Sequence, residues 1–267
     1  LLTGFAPAQR SLDGRLAALV AKPDAPLASL AVVAVEGGEI SFEGYWGYRR
    51  MDAANPLASL PVTADTKFRV ASLSKVATAL GAMLLAEQGK LQLDRDISTY
   101  LGFPLRNPHY PDRPITARML LSHTSSLRDG GLYMLSPPYT LRDFFEPSGA
   151  YYADGTHFAA PQSGADYSPG RYFTYANLNY GVLATAMEAV SGERFDQYMQ
   201  RHLFDPLGVE GGYTLDSLSF ADLAEVATLY TKQNPQGVWD ADGPWYPQYD
   251  DVSGAPPPAP MAAPRLA

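Results

Sequence analysis

The chain has 267 residues, of which 46% are hydrophobic and 18% charged, a balance typical of a folded globular protein rather than a disordered one. Its formal net charge of −8 argues against a nucleic-acid partner, because phosphate binding requires clustered Lys and Arg. There is no cysteine, which excludes disulfides, thiolate catalysis and Cys-ligated metals.

The first 50 residues predict one helix and one β-hairpin. Apolar residues recur at helical spacing over residues 10–21, and Pro23 ends that pattern. Residues 27–36 are rich in β-branched side chains, residues 40–48 alternate apolar and polar side chains, and a Gly-Gly turn lies between them. The longest apolar stretch, 27–35, is too short to span a membrane, which requires about 20 residues.

A second helix is predicted over residues 72–88, where apolar residues again recur at helical spacing before Gly89. Ser72 therefore lies at or next to the start of a helix, where free backbone amides favour developing negative charge. Residues 68–71, which lead into it, are predicted to form a short buried strand or turn.

The rest of the chain predicts loops and shorter helices. Residues 102–170 are rich in Pro, Gly, Tyr and Ser, which indicates long loops with short helical pieces at 116–121 and 141–145. Further helices are predicted at 178–190, 194–203 and 221–230. From Asn234 onward the sequence reads as a linker that ends in a Pro-rich tail.

The segment Ser72-Leu73-Ser74-Lys75 fits a Ser-x-x-Lys pattern. Residues three apart on a helix share a face, so Lys75 can reach the Ser72 hydroxyl. A neighbouring, partly desolvated amine can take the serine proton and make the oxygen a nucleophile. By itself the pattern also fits an N-cap serine followed by a solvated lysine.

A second segment, Tyr175-Ala176-Asn177, precedes a predicted helix and places a phenol beside an amide. Taken alone, it fits aromatic packing equally well in a chain with 17 Tyr. The histidines His109, His157 and His202 have no spacing typical of a metal site, and we predict no metal and no cofactor.

Five segments in order resemble the serine β-lactamase and penicillin-binding-protein superfamily, in particular its branch of class C β-lactamases, DD-peptidases and esterases. The five segments are 68–75, 89–94, 120–127, 175–177 and 204–208. The first contains the Ser-x-x-Lys pattern, and the last follows the helix predicted at 194–203. In the third, 120–127, Ser126 replaces the glycine of the usual Thr-Ser-Gly-Leu ending, and His123 belongs to a loop that supports the site in this family.

The resemblance implies a serine hydrolase that forms an acyl-enzyme on Ser72. It implies that Lys75 and Tyr175 share the role of general base, that Asn177 positions the substrate and the Lys75 amine, and that the Ser72 amide donates to the oxyanion. The implied substrates are β-lactams, D-amino-acid peptides or small esters and amides. A periplasmic or secreted location is the family's usual one.

The expected fold class is α/β (α+β) and serine β-lactamase-like: a mixed sheet flanked by helices, with a mainly helical subdomain. Residues 1–70 are expected to contribute the N-terminal helix and hairpin of the α/β domain, and 71–215 the helical region with the motifs. Residues 216–267 are expected to be a connection and Pro-rich tail leading to a missing C-terminal part.

The resemblance also predicts a third sequence motif, which these 267 residues do not contain. Its third motif, Lys-Thr-Gly or His-x-Gly, supplies a second oxyanion donor, and nothing in the 267 residues matches it. Two strands cannot form a stable sheet alone. We therefore expect a complementary C-terminal polypeptide from the same precursor, separated within the Pro-rich segment 256–264.

Two other readings compete with the hydrolase. One is a penicillin-binding or sensing protein of the same fold, acylated without turnover. The other is a noncatalytic globular domain in which the motifs occur by chance.

Overall fold

The computed structural model describes residues 7–133 and 139–248, which divide into two compact units. One unit consists of residues 7–69 and 218–248, and the other of residues 70–217 without the gap. The fold is mixed α/β with a small sheet that is not closed, as the resemblance predicted. The roles that we assigned to 1–70, 71–215 and 216–267 stay predictions.

The first unit begins with the predicted helix and hairpin. Helix α1 covers Pro7–Val20, strand β1 covers Ser29–Glu36, and β2 covers Glu39–Arg50. The strands β1 and β2 pair antiparallel, with a register shift between Ala34 and Val35, and the short β3 (Leu60–Pro61) pairs with β2. Strand β2 is thus the central strand of a three-stranded sheet, with β1 and β3 at its edges.

The second unit is mainly helical, and its elements are α2 (Ser74–Glu87), α3 (Ser98–Leu101), α4 (Ala117–Leu121), α5 (Arg142–Phe145), α6 (Leu178–Ser191), α7 (Phe195–Met199) and α8 (Asp205–Leu207). A π-helical turn, Gln200–Phe204, joins α7 to α8. The helical course therefore continues past residue 203, where we predicted its end, and stops at Gly208 in the left-handed conformation.

The core of the second unit forms where α2 and α6 pack together. Gly81 permits close packing, since a Cβ there would lie 2.4 Å from Met199 Sδ. The largest fully buried side chains are Leu85, Leu91, Ile97, Leu105, Ile115, Leu120, Leu127, Phe144, Leu178, Leu183, Met187 and Tyr198. This core fixes the starts of α2 and α6, which are the two ends that carry the motifs.

Three predictions about local structure were wrong. Residues 68–71, predicted to be a short buried strand or turn, form no strand and lead into the 3-10 turn Ala71–Leu73, and Phe68 and Val70 are 37% and 50% exposed rather than buried. The helix predicted at 221–230 is shorter: α9 covers Phe220–Ala224, and strand β4 (Tyr230–Thr231) follows.

The third concerns the segment from Asn234, which we predicted to be a linker. Up to residue 248 it is folded, because β5 (Tyr246–Pro247) pairs antiparallel with β4. Lys232, only 7% exposed, lies 4.7 Å from the Trp245 ring and anchors the turn between these strands. The Pro-rich tail and the cleavage predicted within it lie outside the described residues.

Candidate active site

Ser72 and Lys75 meet at the start of α2. A 3-10 turn, Ala71–Leu73, runs directly into the helix, so the predicted position of Ser72 next to a helix start is confirmed. The Lys75 ammonium donates to Ser72 Oγ at 3.1 Å, the contact expected for residues three apart. Ala71 has φ +44°, a left-handed conformation that is costly for a residue with a Cβ and is often found near functional sites.

Tyr175 and Asn177 reach the same place from the loop before α6. The Tyr175 hydroxyl donates to Ser72 Oγ at 2.8 Å, and Lys75 Nζ donates to Asn177 Oδ1 at 2.9 Å. The fold thus brings together all four residues singled out in the sequence, although the two pairs are about 100 positions apart. Their catalytic roles stay predictions.

The charge of Lys75 acts on the tyrosines around it. Its Nζ lies 5.0 Å from the centre of the Tyr175 ring and 5.6 Å from that of Tyr180. Hydrogen bonding with Lys75, and then with Ser72, lowers the pKa of Tyr175 below its ordinary value. Burial instead raises the pKa of Tyr180, so Tyr175 is the phenol that ionises more readily.

The ring of His123 packs against the ring of Tyr175. The two rings lie 4.4 Å apart, and His123 Nδ1 accepts hydrogen bonds from the Ala176 amide at 3.3 Å and from Asn179 Nδ2 at 3.0 Å. Burial, followed by the nearby Lys75 charge, lowers the pKa of His123, which favours the neutral ring that such an acceptor requires. This geometry agrees with the supporting role expected for its loop.

Ser126, which stands where the resembling segment usually has glycine, has a left-handed backbone of the kind that glycine favours. Its φ is +68°, and its side chain is buried and accepts a hydrogen bond from Asn107 Nδ2 at 3.1 Å. That hydrogen bond offsets part of the cost of a left-handed backbone at a residue with a Cβ. Its role in the described structure is to hold a loop.

Sequence reasoning missed one charged residue at this site. Asp129 accepts hydrogen bonds from Asn177 Nδ2 at 2.8 Å and from the Leu178 amide at 3.0 Å. Asp129 lies 48 positions from Asn177, and no periodic pattern in the sequence includes it. The only available signal was its position just after the resembling segment 120–127.

The arrangement suits a nucleophilic serine. Ser72 is exposed, and its Oγ lies within hydrogen-bond distance of both the Lys75 amine and the Tyr175 hydroxyl, the two kinds of group that can activate a serine. Over residues 7–133 and 139–248, no three His, Asp or Glu side chains are grouped so that they could hold a metal ion. In the same ranges, every helix is too short or too polar to cross a membrane.

Comparison with known proteins finds the same superfamily. Residues 13–262 match the family described as Beta-lactamase. The chain is 30% identical over 190 residues to penicillin-binding protein 4* of Bacillus subtilis (strain 168), covering 67% of this chain and 36% of that protein. It is 29% identical over 184 residues to the D-alanyl-D-alanine-carboxypeptidase/endopeptidase AmpH of Escherichia coli (strain K12), covering 68% and 44%.

A solved structure titled EstCE1, a hydrolase with promiscuous acyltransferase activity, is also similar. It aligns with a TM-score of 0.62 and 27% identity over 92% of this chain and 61% of its own. The chain spans less than half the length of the two curated relatives. The family match covers nearly all of the chain, and the chain belongs to the Beta-lactamase family, within the β-lactamase and penicillin-binding-protein superfamily.

Proposed function

We propose that this chain carries the acylation machinery of a serine hydrolase, with Ser72 as the nucleophile. The observation that carries the proposal is the position of Ser72 Oγ, 2.8 Å from the Tyr175 oxygen and 3.1 Å from Lys75 Nζ. Chance motifs would have no reason to converge from segments about 100 residues apart. The convergence therefore favours a hydrolase over a noncatalytic domain.

Tyr175 and Lys75 share the role of base in the proposed reaction: the Lys75 charge favours the Tyr175 phenolate, and the phenolate takes the Ser72 proton. When the Tyr175 phenol is ionised, its hydrogen bond reverses and Ser72 donates to the phenolate. The Ser72 proton passes to that oxygen as Oγ bonds to the substrate carbonyl carbon. The bond to the leaving amine or alkoxide then breaks, and the leaving group takes up the proton. Water hydrolyses the resulting ester and restores Ser72.

Two further groups assist in this scheme. Asn177 holds Lys75 through its Oδ1 and is placed to contact a substrate bound at Ser72. The Ser72 amide, next to the start of α2, donates to the oxyanion that forms on the carbonyl. Removal of one oxyanion donor costs about 10²- to 10³-fold in rate in other enzymes.

The proposed substrates are β-lactams, D-amino-acid peptides or small esters and amides. The names of the relatives support this range, because they include penicillin-binding proteins, a D-alanyl-D-alanine carboxypeptidase and a hydrolase with acyltransferase activity. All of these substrates present a carbonyl carbon to a nucleophile, so one site geometry serves them. The walls around the site decide among them.

The proposal is tested by intact-protein mass spectrometry after a fluorescent penicillin and, separately, a fluorophosphonate. We expect one label on the wild-type chain and none on Ser72→Ala. Ser74→Ala, which removes a neighbouring serine hydroxyl, should keep the label. A label that persists in Ser72→Ala, or a wild-type chain that neither reagent modifies, would refute the proposal.

A second candidate is a penicillin-binding or sensing protein that is acylated without turnover. The observation that favours it is the name of a relative, penicillin-binding protein 4* of Bacillus subtilis, which states binding rather than turnover. The two functions differ in deacylation. A hydrolase loses the penicillin adduct to water within the assay, whereas a sensor retains it.

The location and the macromolecular partner stay predictions. A periplasmic or secreted location rests on the family's usual habit alone. For a complementary polypeptide, the relevant surface is an apolar stripe along α2 and the end of the 3-10 turn before it, formed by Leu73, Val76, Leu80 and Met83, which are 45–69% exposed. Such a stripe is more often covered than left in water.

A further inference from the structure

Asp129 forms hydrogen bonds with Asn177, the residue that contacts Lys75, and with the start of α6. Its Oδ2 accepts from Asn177 Nδ2 at 2.8 Å, while its Oδ1 accepts from the Leu178 amide at 3.0 Å. The other end of the Asn177 amide, Oδ1, accepts from Lys75 Nζ at 2.9 Å. One chain of contacts therefore runs from Asp129 through Asn177 and Lys75 to Ser72.

The two ends of the Asn177 amide are not equivalent in this chain. A carboxylate only accepts hydrogen bonds and an ammonium only donates them. If the amide flipped, its NH₂ group would face the Lys75 ammonium and its oxygen would face the Asp129 carboxylate, and both contacts would be repulsive. Asp129 thus selects the orientation in which Asn177 Oδ1 points at Lys75.

Asp129 is itself fixed by its neighbours. The Arg128 amide donates to the His157 carbonyl at 2.8 Å, and Gly130 has φ +59°. A Cβ on Gly130 would lie 2.5 Å from Nδ1 of the His157 ring, which is only 2% exposed. The backbone on both sides of Asp129 is therefore held against a buried residue.

We propose that Asp129 is a positioning residue for the reaction at Ser72, acting through Asn177 to hold Lys75 against the nucleophile. The inference rests on the function proposed above. Its rival is a purely structural role, in which Asp129 only caps the first amide of α6. A positioning role predicts that loss of Asp129 slows the reaction while the folding stability changes little. A structural role predicts that the rate falls only as far as the folding stability does.

The test compares Asp129→Asn with the wild-type chain by the second-order rate constant of Ser72 labelling with a fluorophosphonate. The variant keeps the shape and an acceptor for the Leu178 amide, but no longer imposes one orientation on Asn177. We expect labelling to slow about 10- to 100-fold, since small misplacements of catalytic groups cost up to that much. The melting temperature should change little, and Asp129→Glu should recover part of the rate.

Thr116→Ala is the matched control for a lost cap, because Thr116 caps α4 by accepting from the Met119 amide. It should lower the melting temperature without slowing the labelling. Wild-type labelling rates in Asp129→Asn would overturn the inference. So would a slowing that Thr116→Ala reproduces, since that slowing would come from lost stability alone.

A double-mutant cycle tests the route through Asn177. In an Asn177→Ala background, Asp129→Asn should slow labelling by less than about twofold, because the group through which it acts is gone. If Asp129→Asn slowed labelling in the Asn177→Ala background as much as it does in the wild-type chain, the inference would be overturned. An unlabelled wild-type chain would refute the proposed function and this inference together. A labelled wild-type chain with unchanged Asp129→Asn would refute the inference alone.

Discussion

The pKa of Tyr175 decides how much phenolate faces Ser72 near neutral pH. Hydrogen bonding with Lys75 and Ser72 lowers that pKa from 10.0, and a lower pKa for an acid means more of the anion at any given pH. Only the anion can take the Ser72 proton. The labelling rate should therefore rise with pH as Tyr175 loses its proton, and this rise should lie below pH 10.

We predict that Tyr175→Phe removes this rise and slows Ser72 labelling about 10²- to 10⁴-fold, the range typical of a lost general base. The measurement is the rate constant for a neutral fluorophosphonate from pH 6 to 10. Tyr172→Phe, in the same loop but paired with Tyr167, is the control that should leave the profile unchanged. A wild-type rate that does not vary with pH would contradict the assignment.

At the scale of single residues, the sequence predicted the contacts that depend on local spacing. Ser72 and Lys75 are three positions apart, and helix geometry alone predicts that they touch. Asn177 and Lys75 are 102 positions apart, so only the family resemblance indicated their contact. Asp129 was missed because its contact to Asn177 is equally non-local and no motif includes it.

At the scale of elements, the long periodic segments were predicted best. Helices α2 and α6 fall within two residues of their predicted bounds, because each has apolar residues at helical spacing. In α6 these residues are buried in the core, whereas in α2 Val76 and Leu80 are exposed. The errors lie where tertiary contacts override the local pattern. Residues 225–230 lie within the predicted helix, yet Lys67 pairs with Val226 and β4 pairs with β5.

The carboxylate of Asp222, at the start of helix α9, is expected to contribute to the stability of the fold. Ser219 and Asp222 form a capping box at its start, and Asp222 Oδ1 also pairs with Lys67 Nζ at 2.8 Å. Hydrogen bonding to Lys67, and then to Ser219, lowers the pKa of Asp222 below 3.8. A lowered carboxylate pKa contributes stability that is present above the unfolded pKa and is lost as pH falls through the folded pKa.

We therefore predict that Asp222→Asn lowers the free energy of unfolding at pH 6 and that its deficit shrinks as pH falls below about 4, the ordinary range of an Asp carboxyl. Urea unfolding of both chains between pH 2 and 6 measures this. Asp242→Asn is a control at an acidic residue without an ion pair to Lys67. A deficit that stays constant down to pH 2 would show that the charge of Asp222 contributes nothing.

At the scale of the whole molecule, the sequence predicted the fold class through the family resemblance rather than through its strands. The larger of the two described sheets has three strands, of which β-branched content indicated β1 and the alternation of side chains indicated β2. Strand β3 is only two residues long, too short for any periodicity to reveal.

The exposed stripe of α2 has a consequence for the whole chain. Leu73, Val76, Leu80 and Met83 lie on one side of a helix, and a contiguous apolar surface of this kind drives association. We predict that the 267-residue chain self-associates as its concentration rises, and that Leu80→Gln with Met83→Gln reduces this without lowering the melting temperature. Leu57→Gln, at a single side chain that is 97% exposed, should change neither. Sedimentation velocity measures the association, and a wild-type chain that stays monomeric at all concentrations would mean that the stripe is too small to hold a second surface.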